Sequence, residues 1–253
     1  MEGKVVIVTG ASSGIGRSTA IKFASQGATV VGVGRNAKEL AAASKAVKNQ
    51  KGTIKAHLAD LTELSQLDRI VSETIHNHGR IDVLVNSAGV IKNGTVENTT
   101  LDDWDKLMHI NLRSVFLLMQ KCVPHLAETR GNIVNVSSVA GPRAFPNVLA
   151  YCVSKAAVDQ LTRCSALELA PKGIRVNAVN PGVVVTNIHK RGGMEAKAYD
   201  AFLEHSRSTH PIGRVGQPEE IAELICYLAS DKAGWITGAT YEIDGGRGQT
   251  CAR

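Results

Sequence analysis

Short apolar runs rich in β-branched residues alternate with longer helix-like segments along almost the whole chain. The first run, Val5–Thr9, is apolar at nearly every position, which is typical of a parallel strand buried on both faces. Seven runs are predicted as strands, namely Val5–Thr9, Ala28–Val33, Thr53–Leu58, Asp82–Asn86, Asn132–Ser137, Arg175–Val179 and Thr240–Ile243. Strands that alternate with helices predict a single α/β domain over residues 1–253, with a doubly wound parallel sheet of about seven strands and helices on both faces.

Helices are predicted between these strands, at Ser18–Ser25, Ala37–Asn49, Glu63–Asn77, Leu101–Leu126 (one or two helices), Leu149–Ala170 and Pro218–Ala229. The long stretch without clear periodicity runs from Thr186 to Arg214, with a short amphipathic piece around Met194–Leu203. Long segments inside a compact domain are often lids or substrate loops. We therefore expect a substrate loop at about 187–214, and the alternative is a disordered surface loop.

Charge and composition exclude several classes of partner. Lys and Arg number 29 against 23 Asp and Glu, a net charge of +6 that suits an anionic ligand. The basic residues are scattered, without runs or interleaved aromatics, so no nucleic acid is expected as a partner. No stretch approaches a bilayer span, and the start MEGKVVIVTG lacks the form of a signal peptide, so we expect a cytoplasmic protein without membrane contact. The five cysteines form no CxxC pair, so reduced thiols are expected rather than a metal site or disulfides.

A glycine-rich loop follows the first strand and reads Thr9-Gly10-Ala11-Ser12-Ser13-Gly14-Ile15-Gly16. Glycine allows a tight turn out of the strand, and the absence of Cβ atoms lets backbone approach a pyrophosphate. The free N–H groups and positive dipole end of the following helix attract that anion. The loop therefore predicts a dinucleotide site, whose candidate ligands here are Gly10, Ser12, Ser13, Gly14, Ile15 and Gly16.

The turn after the second strand predicts which nicotinamide dinucleotide binds. Gly34, Arg35 and Asn36 stand where an acidic residue would accept hydrogen bonds from the adenine ribose of NAD. The planar fork of Arg35 suits a phosphate, and no carboxylate in this turn repels one, so NADP(H) is favoured over NAD(H). The alternative is that Arg35 is only a solvated surface charge. Further candidate contacts, at the ends of the third and fourth strands, are Asp60, Leu61, Asn86, Ala88 and Gly89.

A second candidate site combines Ser138, Tyr151 and Lys155. Tyr151 and Lys155 are four residues apart near the start of a predicted helix, so they share one face. A close ammonium favours the ionised form of a phenol and makes it a better proton donor at neutral pH. Ser138 follows the fifth strand at the edge where open α/β sheets bind ligands, and its hydroxyl can bond a substrate carbonyl.

These residues belong to a set of motifs with matching order and spacing: TGASSGIG at Thr9–Gly16, NSAG at Asn86–Gly89, Asn111 within HINL, SS at Ser137–Ser138, YCVSK at Tyr151–Lys155, PGVVVT at Pro181–Thr186 and DGG at Asp244–Gly246. With this set the chain resembles the short-chain dehydrogenase/reductases from Val5 to Gly246. The similar branch contains 3-oxoacyl-carrier-protein reductases, glucose dehydrogenases and hydroxysteroid dehydrogenases. The resemblance implies a Rossmann-type fold. Two departures are Ser87, in place of a second Asn, and Ser13, where many NADP-using members have a basic residue.

By that resemblance Tyr151 is the general acid/base, and Ser138 polarises the substrate carbonyl. Lys155 would bind the nicotinamide ribose and lower the pKa of Tyr151. Asn111 would hold a water that extends a proton relay from Lys155. The backbone of Val184 and the hydroxyl of Thr186 would fix the nicotinamide carboxamide. The candidate cofactor contacts of this segment are Pro181, Gly182, Val184 and Thr186.

The resemblance also implies partners. It suggests a homotetramer built partly from the helices Leu101–Leu126 and Leu149–Ala170 and partly from the last strand near Tyr241. The first helix carries more apolar residues than one face on the sheet requires, which favours such an interface. An acyl-carrier protein is a further candidate partner, with Arg130 and Lys172 as basic docking residues expected near the active-site mouth.

The sequence therefore predicts an NADP(H)-dependent oxidoreductase that transfers hydride between nicotinamide and a carbonyl or secondary alcohol, with a 3-oxoacyl thioester as one candidate substrate. One alternative is a steroid, sugar or xenobiotic carbonyl reductase that uses NAD(H). Another is a non-catalytic dinucleotide-binding scaffold, which would lack part of the catalytic set. The full candidate set here is Asn111, Ser138, Tyr151 and Lys155.

Overall fold

In the computed structural model, which describes residues 1–250, the seven predicted strands form one parallel sheet. They are β1 (Val5–Thr9), β2 (Thr29–Gly34), β3 (Thr53–Leu58), β4 (Val83–Asn86), β5 (Asn132–Val136), β6 (Arg175–Pro181) and β7 (Thr240–Ile243). Their order is β3-β2-β1-β4-β5-β6-β7, so the chain winds outward from β1 to one side and then to the other. The predicted doubly wound sheet is confirmed, and its switch point lies between β1 and β4, where open α/β sheets bind ligands.

The helices are α1 (Gly14–Ser25), α2 (Ala37–Ala46), α3 (Leu64–His78), α4 (Leu101–Met108), α5 (Ser114–Thr129), α6 (Leu149–Leu169), α7 (Ile188–Arg191), α8 (Ala196–Thr209) and α9 (Pro218–Leu228). Helices α1, α2 and α9 enclose one apolar core, and α3, α5 and α6 contribute to a second. Strand β1 separates the two, because Val6 and Val8 belong to the first core and Ile7 to the second. Burial on both faces explains why β1 reads as a nearly continuous apolar run.

Two segments differ from the sequence prediction. Helix α1 begins at Gly14 rather than at Ser18, because loop glycines of low helix propensity form its first turn. The stretch Thr186–Arg214 contains α7 and α8 instead of an irregular or disordered loop. The predicted amphipathic piece around Met194–Leu203 lies largely within α8, but the helix buries only Tyr199 and Ser206, so the pattern did not predict its full length.

The four cysteines within residues 1–250 are free thiols. Burial raises the pKa of Cys122 and of Cys226 to about 12, so both behave as small apolar residues. Cys251 lies outside the described residues. No helix within residues 1–250 has both the length and the apolar character of a membrane span. Across the same residues, no group of three or more His, Cys, Asp or Glu side chains is placed to hold a metal ion.

Candidate active site

Three of the candidate catalytic residues meet at the carboxyl edge of the sheet. Ser138 lies two residues past the end of β5, and Tyr151 and Lys155 lie one turn apart near the start of α6. All three line one cavity of about 360 Å³, which we call the reaction cavity. The fold therefore brings together the three side chains that the sequence separates by up to 17 residues.

The Tyr151 phenol is partly buried. Burial raises its pKa above the ordinary value, and a hydrogen bond with Ser138 opposes that shift without reversing it. This direction is opposite to the lowering expected from Lys155, whose Nζ lies 5.6 Å from the centroid of the Tyr151 ring. A phenol in this state keeps its proton at neutral pH and can donate it. The Ser138 and Tyr151 hydroxyls thus form a pair of donors for a substrate oxygen.

Lys155 is only 5% exposed, and its Nζ donates a hydrogen bond of 2.8 Å to the carbonyl of Val136 at the end of β5. Burial lowers the pKa of Lys155 to about 8, and the carboxylate of Asp159 one helical turn later opposes that shift. Asp159 is buried too, and it accepts a 2.9 Å hydrogen bond from Nδ2 of Asn180. Sequence reasoning missed Asp159, although its spacing of four residues from Lys155 signals a shared helix face.

The buried Lys155 ammonium should be visible in the pH dependence of stability. Its pKa is about 8 in the folded protein, against an ordinary value of 10.5 that applies to the unfolded chain. Between these values the unfolded chain binds more protons, so the contribution of this group to the free energy of unfolding rises with pH. In urea unfolding of the cofactor-free protein, wild type should gain stability relative to Lys155→Met from pH 8 to about pH 10. A difference that stays flat or falls over this range would contradict the prediction.

Asn111 lies in a π-helical segment, His109–Arg113, which joins α4 and α5 into one continuous helix. Such segments often occur at functional sites. Its Oδ1 accepts a 2.8 Å hydrogen bond from the N–H of Val90, and its Nδ2 donates to the Val90 carbonyl and to Ser154 Oγ at 2.9 and 3.1 Å. The side chain therefore braces the loop after β4 against α6. The water relay implied by the resemblance stays a prediction.

A groove of about 410 Å³ lies beside the reaction cavity, and we call it the dinucleotide groove. Gly16 lets α1 approach β1, because a Cβ there would lie 2.5 Å from the carbonyl oxygen of Gly10. Gly14 has φ +52°, and a Cβ there would lie 3.0 Å from Cγ2 of Thr186. The open groove and the N-terminus of the twelve-residue α1 fit a dinucleotide diphosphate. Its lining includes Gly10, Ser13, Gly14, Ile15, Gly16, Arg35, Ala88 and Gly89.

Arg35 lines the dinucleotide groove, and its side chain is 67% exposed. One of its guanidinium nitrogens lies 3.6 Å from the carboxylate of Asp60. Hydrogen bonds from the N–H and hydroxyl of Thr62, with help from Arg35, lower the pKa of Asp60. The Oδ1 of Asn36 caps α2 by accepting a 3.1 Å hydrogen bond from the N–H of Glu39. Since the ion pair between Arg35 and Asp60 is exposed, breaking it costs little, and the guanidinium is available to a ligand.

The side chains of some other predicted cofactor-binding residues contact protein groups instead of facing the groove. Asn86 is buried and donates a 2.9 Å hydrogen bond to Oδ1 of Asn135. Leu61 packs against the core that contains α3 and α5. Ser12 is buried beside Gly34, where an added Cβ would lie 3.2 Å from its Oγ. These side chains therefore shape the ends of β2, β3 and β4 around the groove.

The segment after β6 is held by two side chains that sequence reasoning missed. The Tyr199 hydroxyl on α8 donates a 2.8 Å hydrogen bond to the carbonyl of Thr186 and accepts one of 3.2 Å from its N–H. His210 Nε2 accepts a 3.1 Å hydrogen bond from the N–H of Val183. The amphipathic piece around 194–203 was a signal for Tyr199, whereas sequence reasoning gave no role to His210. The residues of this segment that line the reaction cavity are Pro181, Gly182, Val183, Val184 and Thr186.

The remaining lining of the reaction cavity is mostly apolar, and its side chains include Val139, Phe145, Pro146, Val148, Ile188 and Phe202. The predicted substrate loop at 187–214 supplies three of the lining residues, namely Ile188, His189 and Phe202. The His189 ring lies 4.5 Å from the Phe202 ring between centroids, and burial lowers the pKa of His189. Apart from Lys155 and Arg247, the cavity therefore offers a largely hydrocarbon surface next to the hydroxyls of Ser138 and Tyr151.

Arg130 and Lys172 lie at the amino-terminal edge of the sheet. Arg130 lies in the turn before β5 with φ +47°, and Lys172 ends the short helical turn that precedes β6. The candidate catalytic residues follow the opposite, carboxyl ends of the strands. The expectation that Arg130 and Lys172 lie near the active-site mouth is therefore wrong within one chain, because parallel strands place the two groups at opposite edges.

A family model, curated proteins and solved structures all match this chain over nearly its whole length. A family model described as Enoyl-(Acyl carrier protein) reductase matches residues 10–247. A 3-oxoacyl-(acyl-carrier-protein) reductase of Thermotoga maritima is 39% identical over 247 residues, covering 97% of this chain and 98% of that protein. A meso-2,3-butanediol dehydrogenase of Serratia marcescens is 37% identical over 245 residues, covering 97% and 94%. The crystal structure of a short-chain dehydrogenase/reductase of unknown function from Caenorhabditis elegans, with cofactor, has a TM-score of 0.94 and 39% identity, covering 99% of this chain and 97% of that one.

Proposed function

The chain belongs to the short-chain dehydrogenase/reductase family, and from this premise we propose that it is an NADP(H)-dependent carbonyl reductase and secondary-alcohol dehydrogenase. As a member of this family it is an oxidoreductase that binds a nicotinamide dinucleotide. One observation supports the proposed carbonyl reductase activity. Ser138, Tyr151 and Lys155 line one cavity that adjoins the glycine-lined groove at the N-terminus of α1.

In the proposed mechanism the cavity side chains orient the substrate and move one proton. A nicotinamide bound in the groove would supply or accept the hydride. The Ser138 hydroxyl donates a hydrogen bond to the substrate carbonyl oxygen and holds it beside the Tyr151 phenol. As negative charge develops on that oxygen, Tyr151 donates its proton to it. The nearby Lys155 ammonium stabilises the resulting phenolate. Alcohol oxidation uses the same groups in reverse.

For the substrate we propose a free carbonyl compound with a hydrocarbon body. The relatives include one named for a carrier-protein thioester and one named for a small diol, so family membership leaves both substrate classes open. The apolar lining of the reaction cavity favours a small molecule. The position of Arg130 and Lys172 at the far edge of the sheet does not favour a carrier protein docked on them.

The double variant Arg130→Glu/Lys172→Glu tests this choice. We expect it to change kcat/KM equally little for a carrier-bound 3-oxoacyl thioester and for a short free thioester, because both residues are remote from the reaction cavity of their own chain. The measurement is steady-state reduction of both thioesters at low and high salt. A selective loss for the carrier-bound substrate that shrinks as salt rises would contradict the prediction and support docking.

The proposed activity is tested with a cofactor-linked panel of carbonyl compounds and alcohols that includes steroids, sugars, acyl thioesters, oxo acids and quinones. We expect turnover of at least one carbonyl class with NADPH, and slower turnover with NADH. Preference for NADH with a steroid or sugar would favour the alternative reductase. Binding of NADPH without turnover of any class would favour a non-catalytic dinucleotide-binding scaffold.

We also propose self-association to a homotetramer. In the chain alone, Val115, Leu118 and Met119 pack on the sheet, but Phe116 remains 45% exposed on α5 and Leu167 80% exposed on α6. Apolar side chains left exposed on adjacent helices suit a subunit interface. Light scattering at micromolar concentration should give a tetramer for wild type and a smaller species for Phe116→Asp/Leu167→Asp. A monomeric wild-type protein would contradict the proposal.

A further inference from the structure

We propose, building on the proposed function, that Arg247 makes the reaction cavity selective for carbonyl substrates that carry a carboxylate, that is, for oxo acids. Arg247 follows the Asp244–Gly246 turn after β7 and lines the same cavity as Ser138 and Tyr151. It is the one arginine among the described residues that line this cavity.

The Arg247 guanidinium is held in a defined orientation. Its central carbon lies 5.0 Å from the centroid of the Phe145 ring, a cation–π arrangement, and Phe145 itself lines the cavity. One terminal nitrogen donates a hydrogen bond to Oγ1 of Thr209 at the end of α8. The stack and the single hydrogen bond fix the plane of the fork and leave further N–H donors for a ligand.

Hydrogen bonds also fix the backbone of the turn Asp244–Gly248 that contains Arg247. The two carboxylate oxygens of Asp244 accept hydrogen bonds of 2.9 and 2.6 Å from the N–H groups of Gly246 and Gly248. The N–H of Arg247 donates to the Asp244 carbonyl at 3.2 Å. A side chain mounted on such a turn is placed before any ligand arrives, which lowers the entropic cost of binding.

The charge of Arg247 lacks a close partner in the part of the chain that the structure describes. Within residues 1–250 no Asp or Glu forms a salt bridge with it. Burial lowers the pKa of Arg247 and Asp244 opposes that shift, yet a guanidinium keeps its charge in either case. A partly desolvated charge beside an apolar lining favours an anionic ligand, and a planar fork matches the two oxygens of a carboxylate.

The dinucleotide does not account for this arginine. The lining of the dinucleotide groove contains Arg35 and Arg191 but not Arg247. The charge of Arg247 therefore faces the substrate rather than the cofactor phosphates. Arg247 would therefore select substrates that have a carboxylate at some distance from the reacting carbonyl.

The test compares 4-oxopentanoate, 5-oxohexanoate and 6-oxoheptanoate with their methyl esters, using kcat/KM at saturating NADPH. In wild type the acid of at least one pair should be preferred at least about tenfold, as for a hydrogen bond to a charged group. Arg247→Met should reduce that acid-to-ester ratio at least about tenfold, and Arg247→Lys should reduce it less. Arg143→Met is the matched control, since it removes an exposed arginine that bonds the Thr250 carbonyl outside the cavity.

Each result separates this inference from the proposed function. Reduction of carbonyl compounds without preference for any acid over its ester overturns the role of Arg247 and leaves the reductase activity standing. An acid preference that Arg247→Met retains, or that Arg143→Met removes equally, overturns it too. If Arg247→Met does not fold, the acid-to-ester ratios of kcat/KM in wild type and in Arg247→Lys still test the role of Arg247. Absence of turnover with every carbonyl compound instead refutes the proposed function.

Discussion

Replacing Tyr151 with phenylalanine should lower kcat by at least about 10²-fold, the range for loss of a positioned general acid. The substitution keeps the aromatic ring in its pocket and removes only the hydroxyl that pairs with Ser138. Binding of NADPH should change little, because the glycine loop, Arg35 and Lys155 are untouched. Steady-state reduction of a carbonyl substrate and a fluorescence titration with NADPH measure the two quantities separately.

Tyr227→Phe is the matched control for this loss. Tyr227 lies on α9 with 45% of its surface exposed and is not part of the reaction cavity lining, and the same single oxygen is removed. Its kcat should stay at the wild-type value. Near-normal turnover in Tyr151→Phe would remove this phenol from the mechanism, whatever the control shows.

Replacing Arg35 with alanine should weaken NADP binding by about 1.5–3 kcal/mol, as for a lost hydrogen bond to a charged group. That corresponds to roughly 10- to 150-fold in Kd. Binding of NAD should be nearly unchanged, because NAD has no 2′-phosphate for the guanidinium to bind. The substitution also removes the ion pair with Asp60, but that pair is exposed and contributes little. Calorimetric or fluorescence titration with both dinucleotides measures the difference.

Lys45→Ala provides the control for net charge, since it removes one exposed positive charge near the end of the neighbouring helix, α2. It should leave both affinities close to wild type. Equal losses for NADP and NAD in Arg35→Ala would show that Arg35 supports the turn after β2 rather than reading the phosphate. Equal losses of NADP affinity in both variants would indicate a long-range charge effect.

The first strand was predictable because burial on both faces requires a nearly continuous apolar run, as in Val5–Thr9. The glycine loop was predictable because its backbone geometry allows few other residues. The start of α1 at Gly14 was not predictable, because glycine is a poor helix former and tertiary contacts override that preference. Only part of helix α8 was predictable, as the amphipathic piece around Met194–Leu203, because the helix buries only Tyr199 and Ser206.

The candidate catalytic residues could be chosen from spacing, but their electrostatics could not. The i, i+4 pair Tyr151 and Lys155 predicted an ammonium that lowers the phenol pKa. The structure instead shows burial acting on both groups, raising the pKa of Tyr151 and lowering that of Lys155 to about 8. Desolvation depends on everything that packs around a residue, and no local pattern encodes it. The placement of Arg247 beside Phe145 depends in the same way on contacts between distant segments.

The most direct measurement of the proposed reaction follows one labelled hydrogen. Reduction of a carbonyl compound from the panel, with NADPH that carries two deuterium atoms at nicotinamide C4, should yield an alcohol with one deuterium on the carbinol carbon. Tyr151→Phe should form that labelled alcohol at least about 10²-fold more slowly than wild type. An alcohol without deuterium at that carbon, or a Tyr151→Phe variant that forms the labelled product at the wild-type rate, would contradict hydride transfer assisted by this tyrosine.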